Sequence, residues 1–196
     1  MRTTKDLIIE TTINLIQSAG SDPEQITIRD ISKEAGIAVS QINYHFASKE
    51  NLMAICVQRV ICEEIGLFSS SLSAAEGKTD FDKLKYMANL TFSFLYVHEN
   101  LSRISILSDY QNPASGDNTS LTMQAYFPLI EKVCTQRNIQ DPQAVTQMVV
   151  LTLQSAFLRS NILKDELHTD LKNSHERAEF VNRVLEQHLR QFTGAN

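Results

Sequence analysis

Apolar positions recur along this chain with a helical rather than a strand period. Ile9, Ile13 and Ile16 repeat at i, i+4 and i+7 after Lys5, and Ala19-Gly20 ends that run. Asp22-Pro23 marks a turn. Thr27 then opens a second helix, with Asp30 placed to complete a capping box. Ile28, Ile31 and Ala35 form its buried face. Gly36 stops it, because a left-handed backbone is cheap for glycine. Ile37 and Ile42 bracket a third, very short helix that ends near Phe46. Ser48 caps a fourth, with Glu50 in its first turn to suit the helix dipole. Leu52, Ile55, Cys56, Val60, Ile65, Phe68 and Leu72 carry that helix to about Ser73.

The second half repeats the pattern. A soft linker from Ser73 to Asp80 precedes an aromatic-rich helix from Phe81 to His98 and a shorter one from Asn100 to Tyr110. A flexible loop covers 112–120. Ser120 to Arg137 reads as a helix that Pro128 should kink. Asp141-Pro142 opens a helix reaching about Leu163. After the loop HTDLKNS, Asn173 and Glu176 form a capping-box pair for a last helix. Val181, Val184, Leu185, His188, Leu189 and Phe192 lie on one face of it. Nine helices and no strand make the expected fold all-α, with no internal repeat.

Composition narrows the function classes. The chain has 196 residues, 42% of them hydrophobic, enough to bury the core of one domain or two small ones. A net charge of -5 with 21% charged residues suggests neither disorder nor a basic coat. Cys56, Cys62 and Cys134 have no paired spacing and read as buried thiols in a reducing compartment. No run of ~18 apolar residues and no signal-like start exist, so the expected location is the cytoplasm, off the membrane. Nucleophile-elbow, zinc-protease, P-loop and dinucleotide motifs are missing, and the five histidines have no metal-ligand spacing to the cysteines. An enzyme, a metal site and a cofactor are therefore not expected.

The stretch from Thr27 to Leu52 is the informative one. A helix, a sharp glycine turn and a short helix make a helix-turn-helix arrangement. Ile37, Ile42 and Phe46 point inward at spacings of five and four. Val39, Ser40, Gln41, Asn43, Tyr44 and His45 remain outward or at the helix ends. A rod of two turns with a polar outer face fits the major groove, where Gln and Asn can bond adenine. Thr27 and Lys49 stand at helix starts that favour phosphate. His45 either touches DNA or caps the fourth helix. Charge opposes this reading: residues 1–52 hold five Lys or Arg against seven Asp or Glu, a net of -2. Attraction must then be local, through Arg2, Lys5, Lys33 and Lys49, with a steep salt dependence.

Thr27, the Ile31–Ala35–Gly36–Ile37 turn, Tyr44-His45-Phe46 and Ser48-Lys49-Glu50 followed by Leu52 fall in the order and spacing of the TetR/AcrR family of bacterial transcription regulators. The chain resembles that family over roughly its first quarter, and beyond it in length and helical pattern. The resemblance implies a DNA-binding domain over 1–50 and a ligand-binding and dimerisation domain over 51–196. It implies a homodimer joined through the last two helices. Carried over by position, it has Thr27 and Lys49 touch phosphate and makes Tyr44 and His45 the aromatic pair ending the recognition helix. Ala38 stands where a Ser, Thr or Asn cap is common, so that helix either frays without DNA or starts a residue later. Asn43 stands where tyrosine is frequent, so either a phosphate is no longer held there or a base is read instead. The implied DNA-binding set is Thr27, Ala38, Val39, Ser40, Gln41, Asn43, Tyr44, His45 and Lys49.

Phe92, Tyr96, Tyr110, Met123, Tyr126, Phe127, Met148 and Phe157 form a stripe that either packs a core or lines a pocket for a largely apolar ligand. Gln124, His98, Gln147 and Gln154 could orient such a molecule. Val145, Val149, Thr152 and Ala156, with Val181, Val184, Leu185, His188 and Leu189, either close the monomer or meet a second copy. The expected function is a ligand-responsive homodimeric repressor on a palindromic operator of double-stranded DNA, released by a small, largely apolar effector. The alternative is an adaptor or activator whose larger domain binds a protein.

Overall fold

The computed structural model describes residues 3–18, 25–73 and 77–190, with side chains except over 62–73. Ten helices and no strand occur among the described residues. They are α1 (Thr4–Ser18), α2 (Ile28–Ala35), α3 (Val39–Phe46), α4 (Lys49–Ser73), α5 (Asp80–Val97), α6 (Glu99–Gln111), α7 (Asn118–Arg137), α8 (Pro142–Leu158), α9 (Ser160–Leu167) and α10 (Ser174–His188). Ala19, Gly20, Asp22, Pro23 and Phe192 lie outside the described residues.

The chain packs as two compact units. One comprises Met1–Leu67 and His98–Asn112, the other Phe68–Val97 and Pro113–Asn196. In the first, Ile8, Ile9, Ile31, Ile42, Phe46, Leu52 and Cys56 form a buried cluster drawn from α1 to α4. Ile13, Ile28 and Ile37 pack against it. Thr12 is buried on α1 because its hydroxyl donates to the Ile8 carbonyl at 2.7 Å. The Asn100 amide of α6 donates to the Ile16 carbonyl at 3.1 Å, which ties α6 to the end of α1. Burial pushes the Cys56 thiol up to about 12, so it is an inert packing group. Cys134, in the other unit, is also a buried free thiol, whereas the Cys62 side chain lies outside the described residues.

In the second unit, buried side chains of α5 (Leu84, Met87, Phe92), α7 (Tyr126, Ile130, Val133), α8 (Val149, Leu153, Phe157) and α10 (Val181, Leu185) make the core. Tyr96 joins Phe92 and Phe157 edge to face, at centroid distances of 5.6 and 5.2 Å. Asp117 accepts the Ser120 N–H at 2.7 Å, so α7 begins at Asn118 instead of Ser120. The helix expected to run from Pro142 to Leu163 is interrupted at Arg159 (φ -106°, ψ 19°). Ser160 and Asn161 follow, residues that compete for local backbone bonds, and α9 buries no side chain that could hold one continuous rod to the core. The last capping box is half formed. Asn173 accepts the N–H groups of His175 and Glu176, but Glu176 accepts the Asp170 N–H at 2.7 Å.

Candidate nucleic-acid interface

The candidate interface comprises α2, α3 and the start of α4. At α2 both halves of the capping box are present: the Thr27 hydroxyl accepts the Asp30 N–H at 3.2 Å, and the Asp30 carboxylate accepts the Thr27 N–H at 2.8 Å. Gly36 closes the helix at φ 66°, ψ 31°, a position where glycine has no Cβ to strain. The chain then turns into α3, whose eight residues sort by face. Ile42 and Phe46 are each 1% exposed, whereas Tyr44 is 85% exposed. Ser40, Gln41 and Asn43 are exposed and His45 is half-buried. The Tyr44 and His45 rings meet edge to face at 5.2 Å. Such exposure leaves Tyr44 without the packing role that a core tyrosine would have.

Ala38, in extended backbone at φ -73°, ψ 146°, offers α3 no side-chain cap, and the helix nevertheless starts at Val39. Lys49 is the first residue of α4, where the Ser48 hydroxyl accepts the Asn51 N–H at 3.1 Å. Thr27 is engaged within its own helix start. Its hydroxyl donates to the Asp30 carboxylate at 2.6 Å. Hydrogen bonds from Thr27 hold that carboxyl below its ordinary value, so it is ionised beside the start of α2. Arg29, exposed one step before Asp30, is a further cation at this surface that the motif spacing does not single out; its position in the first turn of α2 is the available signal.

Among the acids described in the first 52 residues, Asp6 and Asp30 are tied within the protein. Asp6 pairs with Arg59 at 2.8 Å and accepts from Thr3, and Asp30 accepts from Thr27. The Lys5 ammonium lies 6.0 Å over the Phe46 ring, on the support of α3. Positive charge is thus held close to α3 despite the acidic balance of the segment.

The stripe read as a ligand pocket separates. Phe92, Tyr126 and Phe157 are buried in the second unit, with Tyr96 against them. Met123 and Phe127 line a cleft of about 230 Å³ with Gln124, Gln143, Thr146 and Gln147. Met148 is 55% exposed on α8. Tyr110 belongs to the first unit. Of the polar candidates, Gln124 and Gln147 reach the cleft. Gln154 is buried and donates to the Thr119 hydroxyl at 3.1 Å, and His98 lies beside Gln17 in the first unit.

The residues read as a dimer face divide as well. Val145, Val149, Ala156, Val181, Val184, Leu185 and Leu189 are buried in the chain's own core, and Thr152 and His188 are half-buried. The open apolar positions of α8 are instead Met148 and Leu151. Apolar residues occupy both buried and exposed sides of α8, which is the sequence signal for a second apolar face.

Residues 8–55 match the profile described as "Bacterial regulatory proteins, tetR family". Residues 8–55 are thus similar to the N-terminal module of the tetR family. The tetR segment holds the whole of α2 and α3 and the first turns of α4, which are the elements of the interface. Similar solved structures extend the likeness in fold over nearly all of the chain. The transcriptional regulator FadR from Bacillus subtilis, in complex with stearoyl-CoA, has a TM-score of 0.67 at 20% identity, covering 95% of this chain and 98% of that one. A TetR-like transcriptional regulator from Rhodococcus sp. RHA1 has 0.63 at 14%, covering 96% and 97%. The fatty acid degradation regulator FadR from Bacillus halodurans has 0.60 at 21%, covering 97% of each. Comparison with curated proteins gave no match. Among the described residues, no helix is long and apolar enough to cross a membrane.

Proposed function

We propose that this chain is a tetR-family regulator, a homodimeric repressor that holds a palindromic operator and releases it on binding a small, largely apolar effector. The observation that carries the DNA half is the division of α3: Ile42 and Phe46 are buried while Gln41, Asn43 and Tyr44 of the same two turns are open. A helix held from beneath with amide and hydroxyl groups outward suits a major groove. Gln41 and Asn43 read base edges, and Lys49 and Tyr44 hold phosphate.

The effector half is supported by the aromatic cluster of Phe92, Tyr96 and Phe157, with the Arg177 guanidinium 4.9 Å over the Tyr96 ring, and by the amide-walled cleft at Met123 and Phe127. The B. subtilis FadR structure contains stearoyl-CoA, an acyl chain on a polar head. A ligand of that amphipathic type suits apolar walls flanked by glutamines. Met148 and Leu151 supply the exposed apolar positions on α8 that a second copy would cover. Coupling passes along α4, which starts at Lys49 and contains the division between the two units. Coupling of about 1–3 kcal/mol changes operator occupancy five- to 150-fold.

The test is a gel shift of a selected duplex with and without acyl-CoA thioesters of graded length. Release by some chain lengths supports the reading. Unchanged retention across the series, with DNA bound throughout, would leave a DNA binder without this effector class.

A further inference from the structure

The end of α3 is fastened by a residue outside the reading helix. The Ser48 N–H donates to the Phe46 carbonyl at 2.7 Å, closing a three-residue turn over Ala47. Ala47 has φ 61°, ψ -42°, a conformation that a residue with a Cβ adopts only where its surroundings impose it. The same carbonyl accepts a second bond. The Asn51 side-chain Nδ2 donates to it at 2.8 Å in a partly buried position.

Asn51 is the third residue of α4, counted from Lys49. After a serine cap, the side chain at this place commonly accepts the N–H of the cap residue. Here the Ser48 N–H is already bonded to Phe46, and the Asn51 amide turns its donor to that same oxygen. The link matters because α3 is short and has no side-chain cap at Ala38. A helix of two turns is not stable by itself, so its orientation rests on Ile42, Phe46 and whatever holds its last carbonyl.

We infer that Asn51 is a positioning residue for DNA reading. Its amide ties the last carbonyl of α3 to the first turn of α4, and so sets the presentation of Tyr44 and His45 beside Lys49. The inference rests on the DNA-binding reading above and adds a residue that touches no DNA.

Two variants test it. Asn51→Leu keeps the size and removes the donor. Asn51→Asp removes the donor and adds a negative charge that suits a helix N-terminus. The probe is the tightest duplex that the unaltered protein selects from a random-core DNA pool. Both variants should bind it about five- to tenfold more weakly, the scale of one lost hydrogen bond and a loosened helix. The salt slope of Asn51→Leu should equal that of the parent, because no phosphate partner is removed. In the free protein, the amides of Tyr44 and His45 should exchange faster in both variants, while Ile31 in α2 stays as protected as before. Melting of Asn51→Asp should stay near the parent value. Binding by Asn51→Leu within twofold of the parent, or unchanged exchange at Tyr44 and His45, overturns the inference. A shallower salt slope also overturns it, since Asn51 would then hold phosphate itself. If the parent protein holds no duplex at any salt, the DNA reading fails, and amide exchange alone decides whether the clamp exists.

Discussion

Tyr44 shows what a single position can decide. A side chain 85% exposed contributes little to folding, so Tyr44→Ala should leave stability within about 0.5 kcal/mol of the parent while weakening DNA binding. Thermal melting and a duplex titration on the same sample check both halves. Ala38 allows the opposite test. Its extended backbone already suits a cap, and Ala38→Ser should stabilise the protein by about 1 kcal/mol in denaturant melts. Lys49→Ala should weaken all duplexes alike and reduce the salt slope by about one, whereas Gln41→Ala should relax preference at one base position by ~1–3 kcal/mol. Equal loss on every sequence for both would show that Gln41 reads nothing. At this scale the sequence was legible where a local bond fixes the outcome. Thr27 with Asp30 and the glycine at 36 declared their roles by spacing alone. Asn51 did not, because its choice of partner depends on where the turn at Ala47 puts the Phe46 carbonyl.

Among the elements, α3 depends most on its neighbours. Removing the Phe46 ring, buried beside Ile42 and Ile31, should cost about 3–5 kcal/mol and abolish DNA binding through loss of the support. Phe46→Leu should retain most of both, a contrast that urea melts can measure. Helical period revealed which segments are helices, since that depends on each segment's own pattern. It did not reveal the break at Arg159, because the stop reflects what α9 fails to bury and not a Pro or Gly signal. Nor could period say which face of α8 serves the monomer. Val145 and Val149 look as fit for a partner as Met148 and Leu151 until α7 and α10 have claimed one side.

For the whole molecule, the proposed assembly and the acid response are both testable from the placement of these side chains. Met148→Asp with Leu151→Asp should give a folded monomer in sedimentation runs, whereas Val149→Asp should unfold the chain. Asp6, Asp30, Asp82 and Asp170 all have carboxyls held below the ordinary aspartate value, by hydrogen bonds from Thr3, Thr27, Thr79 and Lys164 respectively. Their folded values lie below their unfolded ones, so the unfolded chain takes up these protons first. Their stabilisation is complete above about pH 5 and is lost as pH falls through 3.8 toward the depressed values. Melting from pH 7 to pH 2 should show a flat region and then this acid limb. The most direct measurement of the central claim is selection of bound duplexes from a random-core pool, followed by titration at graded salt. The account predicts enrichment of a palindrome with half-sites about one helical turn apart, ~34–36 Å, and binding that weakens steeply with salt. No enrichment, with no association even at the lowest ionic strength, would contradict it.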